Sequence, residues 1–263
     1  MKILRYSLSV LLLVAFSATV YGQSTKADAI KLFNKALEEA KANNFDQAIS
    51  EFTEAITLAE ELGEEGADIK ERSEKQLPGL YYKRAVEVFN QFRSSKQLTD
   101  LDAAIGEFNE AAQVSDQYDN EQLEQKANGI IPQLHYQKSI FLFKQGDYEG
   151  AEDELTRAID FNDNYAKAYF QRSVVYKKLN PEDLEGYIAL VDEAIDVAED
   201  TGDNRTLRSA NESAHDELLY RAVKQTENNR LSTAIEMLNS ALKYDPESED
   251  VFYRLAEALN KQG

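Results

Sequence analysis

Hydrophobic positions along the chain recur with helical spacing. The recurring unit starts with a small residue. An apolar residue follows at an offset of one, a large residue at four and an alanine at seven. Such offsets put the side chains on one face of an α-helix, and the small residues let a neighbouring helix approach closely. Copies of this unit begin at Ala48, Ala104, Ala151, Tyr187 and Ala234, with Tyr187 in the place of the small residue.

A second unit precedes each copy of the first. It consists of five consecutive residues: an aromatic, a variable, a basic, a small and an apolar residue. It begins at Phe33, Tyr82, Tyr136, Phe170 and, less regularly, Leu219. A further copy, starting at Phe252, has no second helix after it. Two helix types that alternate in this way predict an all-α chain of stacked helical hairpins, in which each hairpin buries its apolar face against its neighbours.

These patterns resemble the tetratricopeptide repeat. The first half of its consensus is matched by Tyr169, Ser173 and Tyr176, and the second half by Ala234, Leu238, Ala241 and Pro246. The resemblance implies a right-handed α-solenoid of about five hairpins that occupies residues 23–263. We expect repeats at roughly 29–62, 78–115, 131–164, 165–200 and 215–248, and a capping helix at 249–262.

The spacing between repeats is longer than the roughly 34 residues of this family. The surplus residues 63–76, 115–129 and 201–214 are charged and compatible with helix, so we expect them to lengthen the following helices. Pro78 and Pro132 should kink the lengthened helices. Residues 93–99 should lengthen one hairpin loop.

The first 22 residues have the layout of a secretory signal peptide. Lys2 and Arg5 precede an apolar run over 8–16, and small residues lead to Gly22. The run is short for a membrane span. We therefore expect cleavage near Gly22, export to the periplasm or the exterior, and a mature protein that does not insert into the membrane. A buried amino-terminal helix is the alternative.

Composition excludes several kinds of function. The chain has no cysteine and two histidines, which excludes thiolate metal sites and makes most triad chemistry improbable. A net charge of −19 disfavours nucleic acids and anionic membranes as partners. We find no phosphate loop, zinc motif or nucleophile elbow, so we expect no cofactor, no metal and no enzymatic activity. His135 occupies a packing position of its repeat.

The resemblance places partner binding on the concave face, which the first helix of each repeat lines. Its surface positions map here to an apolar and aromatic set. The set comprises Phe33, Tyr82, Val86, Phe89, Tyr136, Ile140, Phe143, Phe170, Val174 and Leu219. Ordinary packing between helices is the alternative for these side chains. The Lys, Asn and Arg pattern by which one branch of the family holds a C-terminal carboxylate is missing from these positions.

One basic residue recurs directly before the small residue of the second unit. Its copies are Lys35, Arg84, Lys138, Arg172, Arg221 and Arg254, which we name the basic ladder. We expect each of its charges to pair with acids on adjacent helices, although a basic ladder could also hold an acidic ligand. The sequence thus predicts a non-catalytic scaffold or adaptor of the cell envelope whose partners are other proteins. A self-associating homo-oligomer and a small-molecule carrier are the alternatives.

Overall fold

The computed structural model describes residues 25–263, and the predicted signal peptide lies outside them. Regular structure in this part of the chain consists of α-helices and one 3-10 turn, Gly63–Glu65. In chain order the α-helices are α1 Lys26–Lys41, α2 Phe45–Glu61, α3 Ala67–Glu74, α4 Leu77–Ser95, α5 Leu98–Gln117, α6 Glu121–Gln145, α7 Tyr148–Phe161, α8 Ala166–Leu179, α9 Leu184–Thr201, α10 Asn204–Glu227, α11 Leu231–Ala241 and α12 Glu249–Gln262.

The helices pair as consecutive hairpins. We call α1, α4, α6, α8 and α10 the A helices, and α2, α5, α7, α9 and α11 the B helices. Each A helix packs along the B helix that follows it, each B helix then packs on the next hairpin, and α12 lies on α11. The prediction of an all-α solenoid with a terminal helix is therefore confirmed.

Short polar side chains define where several helices begin. The hydroxyl of Thr25 accepts a hydrogen bond from the backbone N–H of Asp28, whose carboxylate accepts one in return from the Thr25 N–H. Asp147, Asp183 and Asp203 each accept a backbone N–H from the residue three positions later, at the starts of α7, α9 and α10. These contacts satisfy N–H groups that have no partner within the helix.

The recurring alanines lie at the contacts between helices. Those of the B helices have no exposed surface: Ala48, Ala55, Ala104, Ala111, Ala151, Ala158, Ala194, Ala234 and Ala241. The core that they form is divided into several clusters along the solenoid. Each cluster involves a few neighbouring helices, as expected when every repeat contacts only its neighbours.

The three inserted stretches adopt two different structures. Two of them extend the following helix as predicted, because α6 begins at Glu121 and α10 at Asn204. The first does not, since it forms a 3-10 turn and the separate helix α3. Pro78 lies in the first turn of α4, where a missing N–H is tolerated, whereas Pro132 lies inside the continuous helix α6.

The loop expected over residues 93–99 is shorter than predicted. Helix α4 continues to Ser95 and α5 starts at Leu98, so Lys96 and Gln97 alone connect them. Lys96 takes a left-handed conformation with φ of 56° and donates its N–H to the carbonyl of Phe92, which ends α4. The extra residues lengthen the two helices instead of the loop.

Candidate protein-binding surface

The apolar set predicted on the A helices is half-buried, apart from its first member. We call its members on α4, α6, α8 and α10 the stripe: Tyr82, Val86, Phe89, Tyr136, Ile140, Phe143, Phe170, Val174 and Leu219. Each of these side chains keeps part of its surface exposed, which a partner protein could cover.

On α4, the stripe surrounds a buried ring of α5. The rings of Tyr82 and Phe89 meet the fully buried Phe108 edge-on, with centroid distances of 5.9 and 6.2 Å. Such edge-to-face contacts fix the orientation of both rings. These two residues therefore contribute to packing and present their remaining surface outward.

On α6, the stripe contacts the chain around α7. The ring of Tyr136 lies 5.5 Å from that of Tyr165, and the ring of Phe143 lies 5.3 Å from that of Tyr148. Burial raises the pKa of Tyr136 and raises that of Tyr165 to about 12. Both phenols therefore stay neutral at physiological pH, and this part of the stripe is uncharged.

On α8 and α10, the stripe borders two further core clusters. Phe170 packs beside Tyr187 and Val191 of α9, and Leu219 packs with the cluster formed by α10, α11 and α12. The stripe therefore consists of local patches, one per repeat, that follow the A helices along the solenoid. The structure does not gather them into one pocket.

Phe33 of α1 differs from the other members of the predicted set. Its side chain is only 4% exposed and packs against Phe52 with a centroid distance of 5.4 Å. The guanidinium of Arg72 on the inserted helix α3 covers the ring at 4.3 Å from its centroid. Phe33 is therefore a core residue, and its prediction as a partner contact is wrong, because no sequence pattern indicated that α3 packs there.

The basic ladder forms ion pairs with acidic side chains, as expected. The four amino-terminal members reach acids on other helices, through the pairs Lys35–Glu51, Arg84–Glu107, Lys138–Glu154 and Arg172–Glu193. Arg221 pairs with Glu217 on its own helix and lies 3.9 Å from Glu182 in the turn after α8. Arg254 pairs with Glu257 on its own helix, not on an adjacent one as expected. The ladder from Lys35 to Arg221 is therefore a structural feature that links neighbouring helices and turns.

His135 is buried at the contact between α6 and α7, in agreement with the predicted packing role. Its ring stacks on Phe161 at 5.8 Å, and its Nδ1 lies 2.6 Å from Glu154 Oε2. Burial alone would raise the pKa of Glu154, but hydrogen bonds from His135 and Lys138 outweigh it and lower the pKa. Glu154 was not recognisable as a buried carboxylate from the sequence, because it lies within the acidic run at 152–154.

The described residues contain no group of three or more metal-ligating side chains placed to hold an ion. Within residues 25–263, no helix has the length and apolar character needed to cross a membrane.

A second surface feature lies near the carboxyl-terminal end of the stripe and was missed from the sequence. Lys177 and Lys178 end α8 and face Tyr220 and Lys224 of α10 across a cleft. The available signal was the Lys-Lys pair at 177–178, since the corresponding positions are Phe89-Asn90 in α4 and Phe143-Lys144 in α6.

Comparison with known proteins agrees with this architecture. The family model described as anaphase-promoting complex subunit 5, which is of tetratricopeptide repeat type, matches residues 5–67 and 135–218, more than half of the chain. The chain belongs to this tetratricopeptide repeat family. No curated protein sequence matches this tetratricopeptide repeat protein.

Two solved structures are similar to this tetratricopeptide repeat protein. YrrB, described as a TPR protein with an unusual peptide-binding site, is 17% identical over 87% of this chain and 92% of its own, with a TM-score of 0.31. A chain from the APC/C hetero-tetramer Cut9–Hcn1 is 14% identical over 88% of this chain, with a TM-score of 0.30. This chain spans 43% of that second protein.

Proposed function

We propose that the protein is a non-catalytic scaffold that binds another protein along its A helices and acts outside the cytoplasm. The observation that carries this proposal is the repetition of half-buried apolar side chains at one position of four successive A helices, α4, α6, α8 and α10. Tetratricopeptide solenoids offer extended concave surfaces of this kind to their partners.

The stripe has the chemistry of an interface core. Aromatic residues are enriched at protein interfaces, and large side chains held in place by packing bind with little loss of conformational entropy. Tyr82, Phe89, Tyr136 and Phe143 are each held by a ring contact with a neighbouring helix or its flanking residue. A peptide or a helix of a partner protein is therefore the proposed ligand.

A charge placed within the stripe tests this binding surface. Val174 lies in the stripe on α8, and Val197 is a half-buried valine on the B helix α9. We expect Val174→Lys to weaken capture of partner proteins from extracts of the source cells, because the ammonium group resists burial in an apolar interface. Folding should persist, since the lysine stem can cover the same surface while its charge reaches water.

The matched control is Val197→Lys, which makes the same change away from the stripe. Quantitative mass spectrometry of the captured proteins compares the two variants with the unmodified chain. Equal losses for both variants, or no loss for Val174→Lys, would contradict the proposed surface. Size-exclusion chromatography of the purified chain distinguishes a partner protein from a second copy, since self-association makes the apparent mass depend on concentration.

Export is tested by the mass of the mature chain. The positive start, the apolar run at 8–16 and the small residues before Gly22 support cleavage by signal peptidase. We expect intact-mass measurement of protein from an exporting host to show a chain that begins at Gln23. A chain that retains residues 1–22 would contradict the secretory part of the proposal and leave the binding surface unaffected.

A further inference from the structure

A basic cleft lies between the end of α8 and the second half of α10, next to the turn that follows α8. Its volume is about 440 Å³, within the range of about 300–1,000 Å³ that is usual for ligand sites. Four basic side chains line it, Lys177, Lys178, Arg221 and Lys224, against two acidic ones. The cleft is thus locally positive in a chain with a net charge of −19.

One buried carboxylate fixes two of the four basic groups. Glu217 accepts a hydrogen bond from Lys177 Nζ at 2.6 Å on one oxygen and from Arg221 Nε at 2.8 Å on the other. Arg221 also donates to the backbone carbonyl of Pro181. These contacts position the wall of the cleft and largely neutralise Lys177 and Arg221.

The other two basic groups remain available. Within the described part of the chain, neither Lys178 nor Lys224 forms an ion pair with an acidic side chain. Lys224 Nζ lies 4.3 Å from the centroid of the Tyr220 ring, and Tyr220 is 55% exposed. Two unpaired ammonium groups beside an exposed aromatic ring form a surface that attracts carboxylates.

A polar atom in the cleft points to a ligand that also donates hydrogen bonds. Gln225 lines the cleft, and its Oε1 is buried without a hydrogen-bond donor among the described residues. A buried acceptor without a donor is unfavourable, so turning the Gln225 amide towards a ligand N–H in the cleft is favourable. An inorganic anion such as sulfate has no hydrogen to donate to this atom, whereas a peptide backbone N–H does.

We propose that this cleft binds an acidic peptide segment of a partner protein, with carboxylates at Lys178 and Lys224 and a backbone N–H at Gln225. The cleft adjoins the stripe on α8, because Lys177 takes the repeat position of the stripe residues Phe89 and Phe143. Its α10 side lies off the stripe, since Tyr220 follows the stripe residue Leu219 by one residue and so points about 100° further around the helix. It adds a charge-selective contact to a surface that is otherwise apolar.

Fluorescence anisotropy with a labelled peptide tests the proposal on the full mature chain. The probe is a hexapeptide of alternating Asp and Gly, and its neutral counterpart replaces each Asp with Asn. We expect the unmodified protein to bind the Asp peptide at least about tenfold more tightly than the Asn peptide, as two ion pairs would provide. The double variant Lys178→Glu with Lys224→Glu should lose about the same factor.

The matched control changes net charge equally but outside the cleft. Lys83→Glu with Lys126→Glu alters two exposed lysines on α4 and α6, and should retain binding. Equal losses in the two double variants would show general electrostatic attraction and overturn the assignment to this cleft. Failure of the unmodified protein to bind the Asp peptide would overturn it as well.

Two further measurements separate a peptide from a small anion. Gln225→Leu should weaken binding of the Asp peptide severalfold, and sulfate should displace the peptide poorly. Efficient displacement by sulfate together with no effect of Gln225→Leu would overturn the peptide assignment in favour of a small-anion site. The stripe variant Val86→Lys on α4, away from the cleft, should bind the Asp peptide normally, so failure of the cleft and failure of the stripe remain distinguishable.

Discussion

At the scale of single residues, the small side chains of the B helices determine how closely neighbouring helices approach. Ala158 of α7 has no exposed surface and belongs to the same core cluster as Ala168 and Val175 of α8. Protein interiors are packed about as densely as organic crystals, so this site has no space for the three additional carbon atoms of a leucine.

Ala158→Leu should therefore destabilise the fold by overpacking. We expect the free energy of unfolding, measured by urea titration, to fall by about 1–3 kcal/mol. Ala189→Leu on α9 is the matched control, because Ala189 is exposed and should tolerate the larger side chain. Unchanged stability of Ala158→Leu would mean that this face of α7 is not packed.

These residue positions could be predicted from the sequence because the repeat supplies several copies of each. The small residues and the basic ladder were found by comparing copies, and the structure places the small residues and the first four ladder residues as expected. Glu154 does recur, as Glu51 and Glu107 three residues after the small residue of two earlier repeats, and each of the three pairs with a ladder residue. The lysines of the cleft could not be found in this way, because they have their role in one repeat only. Their environment depends on which helices meet around them.

At the scale of helices, the local sequence predicted the structure of the inserted segments least well. The composition of 63–76 favours helix, but whether that helix joins α4 or packs separately depends on tertiary contacts. Helix α3 packs on α2, and the ion pair between Lys26 and Asp68 links it to α1 at 2.8 Å. Packing of α3 also buries Phe33, which was predicted to lie on the partner-binding surface.

A glycine makes the start of α3 possible. A Cβ atom added at Gly66 would lie 2.1 Å from the carbonyl oxygen of Ala59 on α2, far inside contact distance. We expect Gly66→Ala to push α3 away from α2 and lower the free energy of unfolding by about 1–3 kcal/mol.

Gly79 provides the comparison for that substitution. A Cβ at Gly79 would meet nothing within 4 Å, and the residue lies in the helix α4. Gly79→Ala should leave stability unchanged or raise it by up to about 1 kcal/mol, because alanine favours helix. Equal urea midpoints for the two variants would contradict the close approach of α2 and α3.

At the scale of the whole molecule, the two types of helix differ in how far their apolar side chains are buried. The B helices bury alanine-rich faces against neighbouring repeats, and the A helices carry half-buried apolar side chains along the stripe. The repeat pattern was sufficient to predict this architecture, because each hairpin depends on its neighbours and on little else. The identity of the partner depends on the shape of the assembled surface, which no single repeat encodes.

Site-specific photocrosslinking in the source cells tests the central claim most directly. A photoreactive amino acid replaces Lys144, which is exposed next to Phe143 on the A helix α6, or Arg157, which is exposed on the B helix α7. We expect a discrete crosslinked partner protein from position 144 and none from position 157. Crosslinks from position 157 alone, or the same products from both positions, would contradict partner binding along the A helices.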